Sequence, residues 1–165
     1  MPPKYPRRVV PYIAVVGPSA GKPAEHALGE EVGRRIAGAG AILVCGGLGG
    51  VMEAAAAGCA AAGGTSVGIL PTELRSDANP HLTVAVATGM GEARNAVVVR
   101  TADAVIAVGG EFGTLSEIAL ALKMGKPVVG IDTWSVKRDG LGADPIIRAS
   151  TPEEAVGIAI AAAVT

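Results

Sequence analysis

An arginine, a glutamate and two glycine-rich turns form the part of this sequence best suited to chemistry. Segments 89–95 (Gly-Met-Gly-Glu-Ala-Arg-Asn) and 109–117 (Gly-Gly-Glu-Phe-Gly-Thr-Leu-Ser-Glu) each open a predicted helix. The first N–H groups of a helix lack partners within it and carry partial positive charge, so such turns bind anions. Arg94 adds a full positive charge beside them. The pattern predicts a site for a phosphate-bearing ligand.

The key side chains also have structural explanations. Thr114 and Glu117 match a capping box, in which a threonine caps a helix and a glutamate three residues later accepts from the N–H of the cap. Such a cap contributes about 1 kcal/mol without any ligand. Arg94 lies in the first turn of its predicted helix, where a cation opposes the helix dipole. Its placement therefore favours a binding role, whereas for Glu117 both explanations stay open.

Apolar, β-rich segments alternate with helical stretches along the chain. The predicted strands are residues 12–16, 41–45, 66–70, 82–87, 104–108 and 127–131. Helices are expected at about 24–37 and 50–62, after Glu92, after Thr114 and from Pro152, with Thr151 as its cap. A short strand is expected at 146–147. The alternation predicts an α/β fold: one Rossmann-like, three-layer domain over residues 1–165, with a mainly parallel sheet and helices on both faces.

Glycine-rich turns follow four of these strands, and the carboxyl ends of parallel strands meet at one edge of a sheet. Glycine lets the backbone approach a ligand closely, although each turn could also use glycine merely to be tight. The candidate cofactor-binding residues are Gly17, Ser19, Gly46, Gly47, Gly49, Gly50, Arg94, Asn95, Gly109, Gly110, Gly113, Thr114 and Glu117. Trp134 follows the last long strand and either stacks on a flat ligand ring there or packs under a loop.

Composition and spacing exclude several functions. The 165 residues carry a net charge of −1, which gives no bulk attraction to nucleic acid or to an anionic membrane. Cys45 and Cys59 fit neither a redox pair nor a zinc site, the two histidines have no ligand-like partners, and we expect no metal site. No segment has the length and hydropathy of a membrane span. We therefore expect a soluble, cytoplasmic protein with a small-molecule ligand.

Two segments match nucleotide-binding motifs only in part. Segment 17–23 has three residues between its glycines where a nucleotide-triphosphate loop needs four, and Pro23 replaces the magnesium-binding Ser or Thr. Segment 47–52 has Met52 where a dinucleotide fingerprint needs its third glycine, and the next strand ends without an acid for the ribose. The sequence therefore argues against both ATP hydrolysis and NAD binding.

Over nearly its whole length the chain resembles the LOG-like Rossmann superfamily, often labelled as lysine decarboxylases. The resemblance is carried by segments 15–19, 45–52, 68–71, 91–95 and 113–117. Within the superfamily, the Ala-Arg-Asn and Gly-Thr-Leu-Ser-Glu forms, the length and the Ala/Gly-rich composition are most similar to the molybdenum cofactor carrier proteins of green algae. A pyridoxal phosphate site, which decarboxylation would need, is not recognisable.

The superfamily's enzymes cleave the N-glycosidic bond of nucleoside 5′-monophosphates. They use the arginine of Met-x-x-Arg-Lys and the glutamate that closes Pro-Gly-Gly-x-Gly-Thr-x-x-Glu, which Arg94 and Glu117 match. Four other positions, filled in the motifs by methionine, lysine, proline and glycine, differ here: Gly91, Asn95, Gly109 and Glu111. The lost lysine and the added carboxylate weaken anion affinity, which argues against nucleotide hydrolysis.

The carrier resemblance implies a cytoplasmic homotetramer that binds, protects and delivers the molybdenum cofactor (molybdopterin), a pterin with a phosphate tail. Its partners would be molybdoenzymes such as nitrate reductase. The alternative is a phosphoribohydrolase in which Arg94 and Glu117 are catalytic. A nucleotide-sensing domain without turnover is a third hypothesis. Release of free base from AMP separates the enzyme from the other two.

Overall fold

The computed structural model describes residues 9–164, which contain a seven-stranded sheet. The strands are β1 (Tyr12–Val16), β2 (Ile42–Cys45), β3 (Ser66–Leu70), β4 (Val84–Ala87), β5 (Ala104–Val108), β6 (Val128–Ile131) and β7 (Ile147–Arg148). They lie in the order β4-β3-β2-β1-β5-β6-β7, and all six pairings are parallel. The predicted Rossmann-like α/β fold is confirmed, and its mainly parallel sheet is wholly parallel in the described residues.

Helices cover both faces of this sheet, as expected. They are α1 (Pro23–Gly38), α2 (Val51–Ala61), α3 (Arg94–Thr101), α4 (Phe112–Lys123) and α5 (Pro152–Ala163), with 3-10 turns at Arg75–Asp77 and Gly91–Ala93. Helices α1, α2 and α5 pack on one face and α3 and α4 on the other. Alternation along a strand divides the core, so Val15 faces the first helix layer and Val16 the second.

Helices α1 and α2 pack closely because glycines lie at their contact. A Cβ on Gly33 would lie 1.9 Å from the carbonyl oxygen of Ala55, and one on Gly58 would lie 1.9 Å from that of Glu30. Neither position can hold a larger residue unless the helices separate. Only 2% of the residues are aromatic, so the core depends on this close approach of backbones.

The two predicted helix caps have different outcomes. The Thr151 side chain does cap α5, since its Oγ1 accepts from the N–H of Glu154 at 3.2 Å. The predicted cap at Thr114 is wrong: α4 begins at Phe112, so Thr114 is already helical, and extended Glu111 occupies the cap position. The preceding Gly109 and Gly110 both have positive φ, and the chain enters the helix three residues earlier than predicted.

None of the helices within residues 9–164 combines the length and the apolar character needed to cross a membrane.

Candidate functional site

A cavity of about 240 Å³ opens at the carboxyl edge of the sheet. Strand β1 pairs with β2 on one side and β5 on the other, so the turns after β1 and β5 leave a crevice between them. The cavity is lined by Gly17, Pro18, Ser19, Leu48, Met52, Pro71, Glu92, Arg94, Asn95, Glu111, Gly113, Thr114 and Glu117. All four glycine-rich turns contribute, together with the residue that follows β3.

Arg94 and Glu117 form a buried ion pair in the cavity wall. Their exposed fractions are 7% and 6%, and Arg94 Nη1 lies 3.7 Å from Glu117 Oε1. Arg94 is the first residue of α3, whereas Glu117 lies in the second turn of α4. The glutamate on α4 therefore pairs with the arginine on α3 and does not cap its own helix.

Burial controls the ionisation of both groups. Loss of hydration raises the pKa of Glu117 from 4.5 to about 7, although the nearby Arg94 charge opposes the rise. Burial also lowers the pKa of Arg94, and the negative charge of Glu117 opposes that change. Near neutral pH, Glu117 is thus divided between carboxylate and carboxylic acid. It can accept or donate a proton in this pH range.

Asn95 fixes the position of the arginine. Arg94 Nη1 donates to Asn95 Oδ1 at 2.5 Å, and Asn95 Nδ2 donates to Ser116 Oγ at 3.2 Å. The Ser116 hydroxyl in turn donates to the carbonyl of Gly113 at 2.8 Å. This chain of hydrogen bonds joins α3 to the first turns of α4. Where the superfamily motif has a lysine, this chain therefore has a neutral residue that orients its neighbour.

Two buried donors at the cavity have no partner. Among the described residues, three buried side-chain polar atoms make no hydrogen bond: Arg94 Nε, Thr114 Oγ1 and Thr133 Oγ1. Only the first two belong to residues that line the cavity. An unsatisfied buried polar group costs about 1–3 kcal/mol, so a ligand acceptor at these atoms would remove a penalty.

Six of the thirteen predicted site residues do not line the cavity, namely Gly46, Gly47, Gly49, Gly50, Gly109 and Gly110. Several of them instead allow close packing around it. A Cβ on Gly46 would lie 2.6 Å from both Arg94 Nη2 and Met52 Sδ, and one on Gly50 would lie 2.2 Å from the carbonyl oxygen of Pro18. These two glycines therefore let the residues that line the cavity pack closely, without lining it themselves.

Sequence reasoning missed several lining residues. They are Pro18, Leu48, Met52, Pro71 and Glu92. All except Pro71, which follows β3, lie in or close after the glycine-rich turns identified from the sequence, so their position next to those glycines was the available signal. Glu111, identified only as a departure from the family motif, also lines the cavity. Three glutamates therefore surround the single arginine.

An aromatic pair borders the cavity. Phe112, between two lining residues, is 79% exposed, and its ring centroid lies 5.6 Å from that of Trp134. The Trp134 indole donates to the carbonyl of Glu111 at 3.2 Å, and its own carbonyl accepts from Arg148 Nη2 at 2.6 Å. Trp134 is thus half-buried and held beside the start of α4.

The fold and the cavity define a Rossmann-like protein with a cleft at the switch point of a doubly wound sheet. Within residues 9–164, no three His, Cys, Asp or Glu residues come together in a way that could hold a metal ion. The chain belongs to the SLOG cluster4 family, whose model matches residues 10–156.

Known proteins resemble the chain over nearly its full length. An uncharacterized protein of Archaeoglobus fulgidus is 41% identical over 152 residues, which cover 92% of this chain and 96% of that protein. The molybdenum cofactor binding protein of Rippkaea orientalis has a TM-score of 0.87 and 36% identity, over 96% of this chain and 100% of that one. The molybdenum cofactor carrier protein of Chlamydomonas reinhardtii has a TM-score of 0.83 and 30% identity, over 95% of this chain and 100% of that one. The expected resemblance to LOG-like proteins and molybdenum cofactor carriers is confirmed.

Proposed function

We propose that this protein binds the molybdenum cofactor, protects it and delivers it to molybdoenzymes. The observation that carries the proposal is the full-length similarity to the Rippkaea and Chlamydomonas proteins, which covers the whole of both chains. The cavity lies where such a fold presents a ligand, at the switch point of the sheet. A carrier needs a protected site and no bond cleavage.

The N-terminus of α4 is the best-placed phosphate site of those predicted. At α2 the first N–H, that of Val51, already donates to the carbonyl of Pro18 at 3.1 Å. At α1 the side chain of Glu25 accepts from the N–H of Lys22 at 2.7 Å. The first turn of α4 lines the cavity and includes Thr114 with its unpartnered hydroxyl. We therefore assign the phosphate tail to this turn, with Arg94 Nε as a second donor.

The remaining groups suit the pterin. The cavity is smaller than the roughly 300–1,000 Å³ of typical small-molecule sites, so the phosphate end would fill it and the ring system would lie at its mouth. A pterin presents N–H donors, and Glu92 and Glu111 offer carboxylate acceptors for them. Exposed Phe112 lies beside the same mouth and offers a flat apolar surface.

The proposal includes a cellular setting. By analogy with the carrier proteins, we place the chain in the cytoplasm as a homotetramer that hands its cofactor to enzymes such as nitrate reductase. Each charge-assisted contact to the phosphate contributes about 1.5–3 kcal/mol before the costs of association. A few such contacts favour roughly micromolar binding, which allows release to an acceptor enzyme.

Cofactor protection tests the proposal. Free molybdenum cofactor is incubated with the protein, and surviving cofactor is measured over time by reconstitution of an apo-nitrate reductase. We expect the wild-type protein to lengthen the cofactor lifetime and both Arg94→Ala and Thr114→Val to shorten it again. Thr133→Val is the matched control, since it removes another buried, unpartnered hydroxyl that does not line the cavity. No protection at tens-of-micromolar protein would contradict the proposal.

One observation favours the enzymatic alternative. A buried carboxyl with a pKa of about 7, close to an arginine in a cavity, is typical of a general acid or base. Incubation with AMP and related nucleoside 5′-monophosphates tests for a phosphoribohydrolase. Release of free base that Glu117→Gln abolishes would establish the enzyme and contradict a carrier without turnover. Unchanged nucleotide would leave the carrier function.

A further inference from the structure

The cavity has a buried end and an exposed mouth that differ in charge. At the buried end lie Arg94, Thr114 and Glu117, which are 7%, 2% and 6% exposed. Glu92 and Glu111 also line the cavity but are exposed, so they lie at its mouth. The one positive charge of the cavity lining is therefore deep, whereas two of its three carboxylates are at the entrance.

The buried end offers donors for a single phosphate. Arg94 Nε and Thr114 Oγ1 are buried and unpartnered, and the first N–H groups of α4, at residues 112–114, have no acceptor within the helix. Glu117 shares this end, but burial raises its pKa to about 7, so it is partly uncharged near neutral pH. A phosphate held here gives these donors an acceptor and pairs with Arg94, the only cation of the lining.

The mouth has the opposite character. Neither Glu92 nor Glu111 forms an ion pair within residues 9–164, so no cation offsets these two carboxylates. Glu111 directly precedes α4 and stands where the superfamily motif has a glycine. When one phosphate occupies the buried end, a second phosphate attached to it must lie nearer the mouth. There the two carboxylates repel it.

We propose that Glu92 and Glu111 determine ligand specificity: the cavity binds a phosphate monoester and excludes ligands that carry a diphosphate. This selectivity rests on the proposed function, since it takes the ligand to be a pterin with one phosphate. With a monoester bound, the ring system lies between the two glutamates, which accept its N–H groups. A pterin that is extended by a nucleotide through a diphosphate bond places a phosphate there instead and is excluded.

Equilibrium dialysis with two pterin probes tests the proposal. The probes are hydroxymethylpterin monophosphate and hydroxymethylpterin diphosphate, which differ by one phosphate, and pterin fluorescence measures the bound fraction. We expect the wild-type protein to bind the monophosphate at least about tenfold more tightly, because the second phosphate adds charge close to two carboxylates. Raising the salt concentration from about 0.05 to 0.5 M should reduce this ratio, since salt screens charges at the exposed mouth.

Substitutions test whether the two glutamates cause the selectivity. Glu92→Gln and Glu111→Gln should each lower the ratio of the two affinities at least about threefold, and the double variant should lower it further. Glu111→Asp retains the charge and should keep the ratio to within about twofold. Glu73→Gln neutralises an exposed carboxylate outside the cavity lining, and as the matched control it should leave both affinities unchanged.

The outcomes separate this selectivity from the proposed function. Equal binding of the two probes by the wild-type protein would overturn the selectivity and leave cofactor binding intact. An unchanged ratio in the double variant would do the same, because the glutamates would then not be its cause. If neither probe binds, the selectivity is overturned as well, and protection of the molybdenum cofactor, measured by reconstitution of the apo-enzyme, decides the proposed function separately.

Discussion

Glu117→Gln should stabilise the ligand-free protein at high pH and have little effect at low pH. The residue is 6% exposed, and burial raises its pKa from 4.5 to about 7 even with Arg94 at 3.7 Å. Glutamine has nearly the same shape and hydrogen-bonding capacity as the protonated acid. The variant therefore mimics the protonated state at every pH.

The sign of the effect follows from proton binding. Between about pH 4.5 and 7 the folded protein retains a proton on Glu117 that the unfolded chain has released, so stability falls as the pH rises. The full loss is present above pH 7 and absent below about 4.5. A pKa rise of this size corresponds to about 3 kcal/mol of unfolding free energy. We expect Glu117→Gln to be more stable than wild type by about that amount at pH 8.

Urea denaturation at a series of pH values measures this difference. For an m-value of about 2 kcal/mol/M, the midpoints of the two proteins should separate by about 1.5 M at pH 8 and converge near pH 4.5. Both proteins are compared at one concentration, because self-association also stabilises. Asp139→Asn, which neutralises an exposed carboxylate, is the control and should show no such divergence. Parallel curves for wild type and Glu117→Gln would refute a buried glutamate that is protonated near neutral pH.

Further substitutions separate site shape from stability. Gly46→Ala should weaken cofactor retention at least about tenfold, with a stability loss of only about 1–2 kcal/mol, because its new Cβ meets side-chain ends of Arg94 and Met52, which can shift, and no backbone atom. Gly33→Ala should cost about 3 kcal/mol or more in chemical denaturation, because its Cβ meets the Ala55 backbone at 1.9 Å. Thr114→Val should leave the unfolding free energy of the ligand-free protein unchanged or higher, since its hydroxyl is unpartnered. Destabilisation by Thr114→Val, full retention in Gly46→Ala or wild-type stability in Gly33→Ala would contradict these assignments.

The architecture was predictable because it depends on short-range pattern. Each predicted strand appears within two residues of its expected bounds, and even the short strand expected at 146–147 occurs, at Ile147–Arg148. Apolar β-rich runs separated by helical stretches determine a parallel sheet, and that sheet brings its glycine-rich turns to one edge. The position of the cavity follows from topology more than from any one side chain.

Side-chain roles were less predictable because they depend on distant neighbours. Asn95 reaches Ser116, 21 residues away, and a hydrogen bond across two helices leaves no local signal in the sequence. The same applies to Gly46, which packs against Arg94, and to Glu117, whose local pattern suggested a cap. The early start of α4 depends on the positive φ of Gly109 and Gly110. Glycine can adopt positive φ but does not have to, so the sequence alone does not predict this start.

The central claim is that the phosphate of the bound cofactor lies at the start of α4. A crystal structure of the cofactor-loaded protein measures this directly. We predict phosphate oxygens within hydrogen-bond distance of Thr114 Oγ1 and Arg94 Nε, two donors of the cavity wall that lack partners. A cofactor bound elsewhere on the chain, with these two atoms still unpaired, would contradict it.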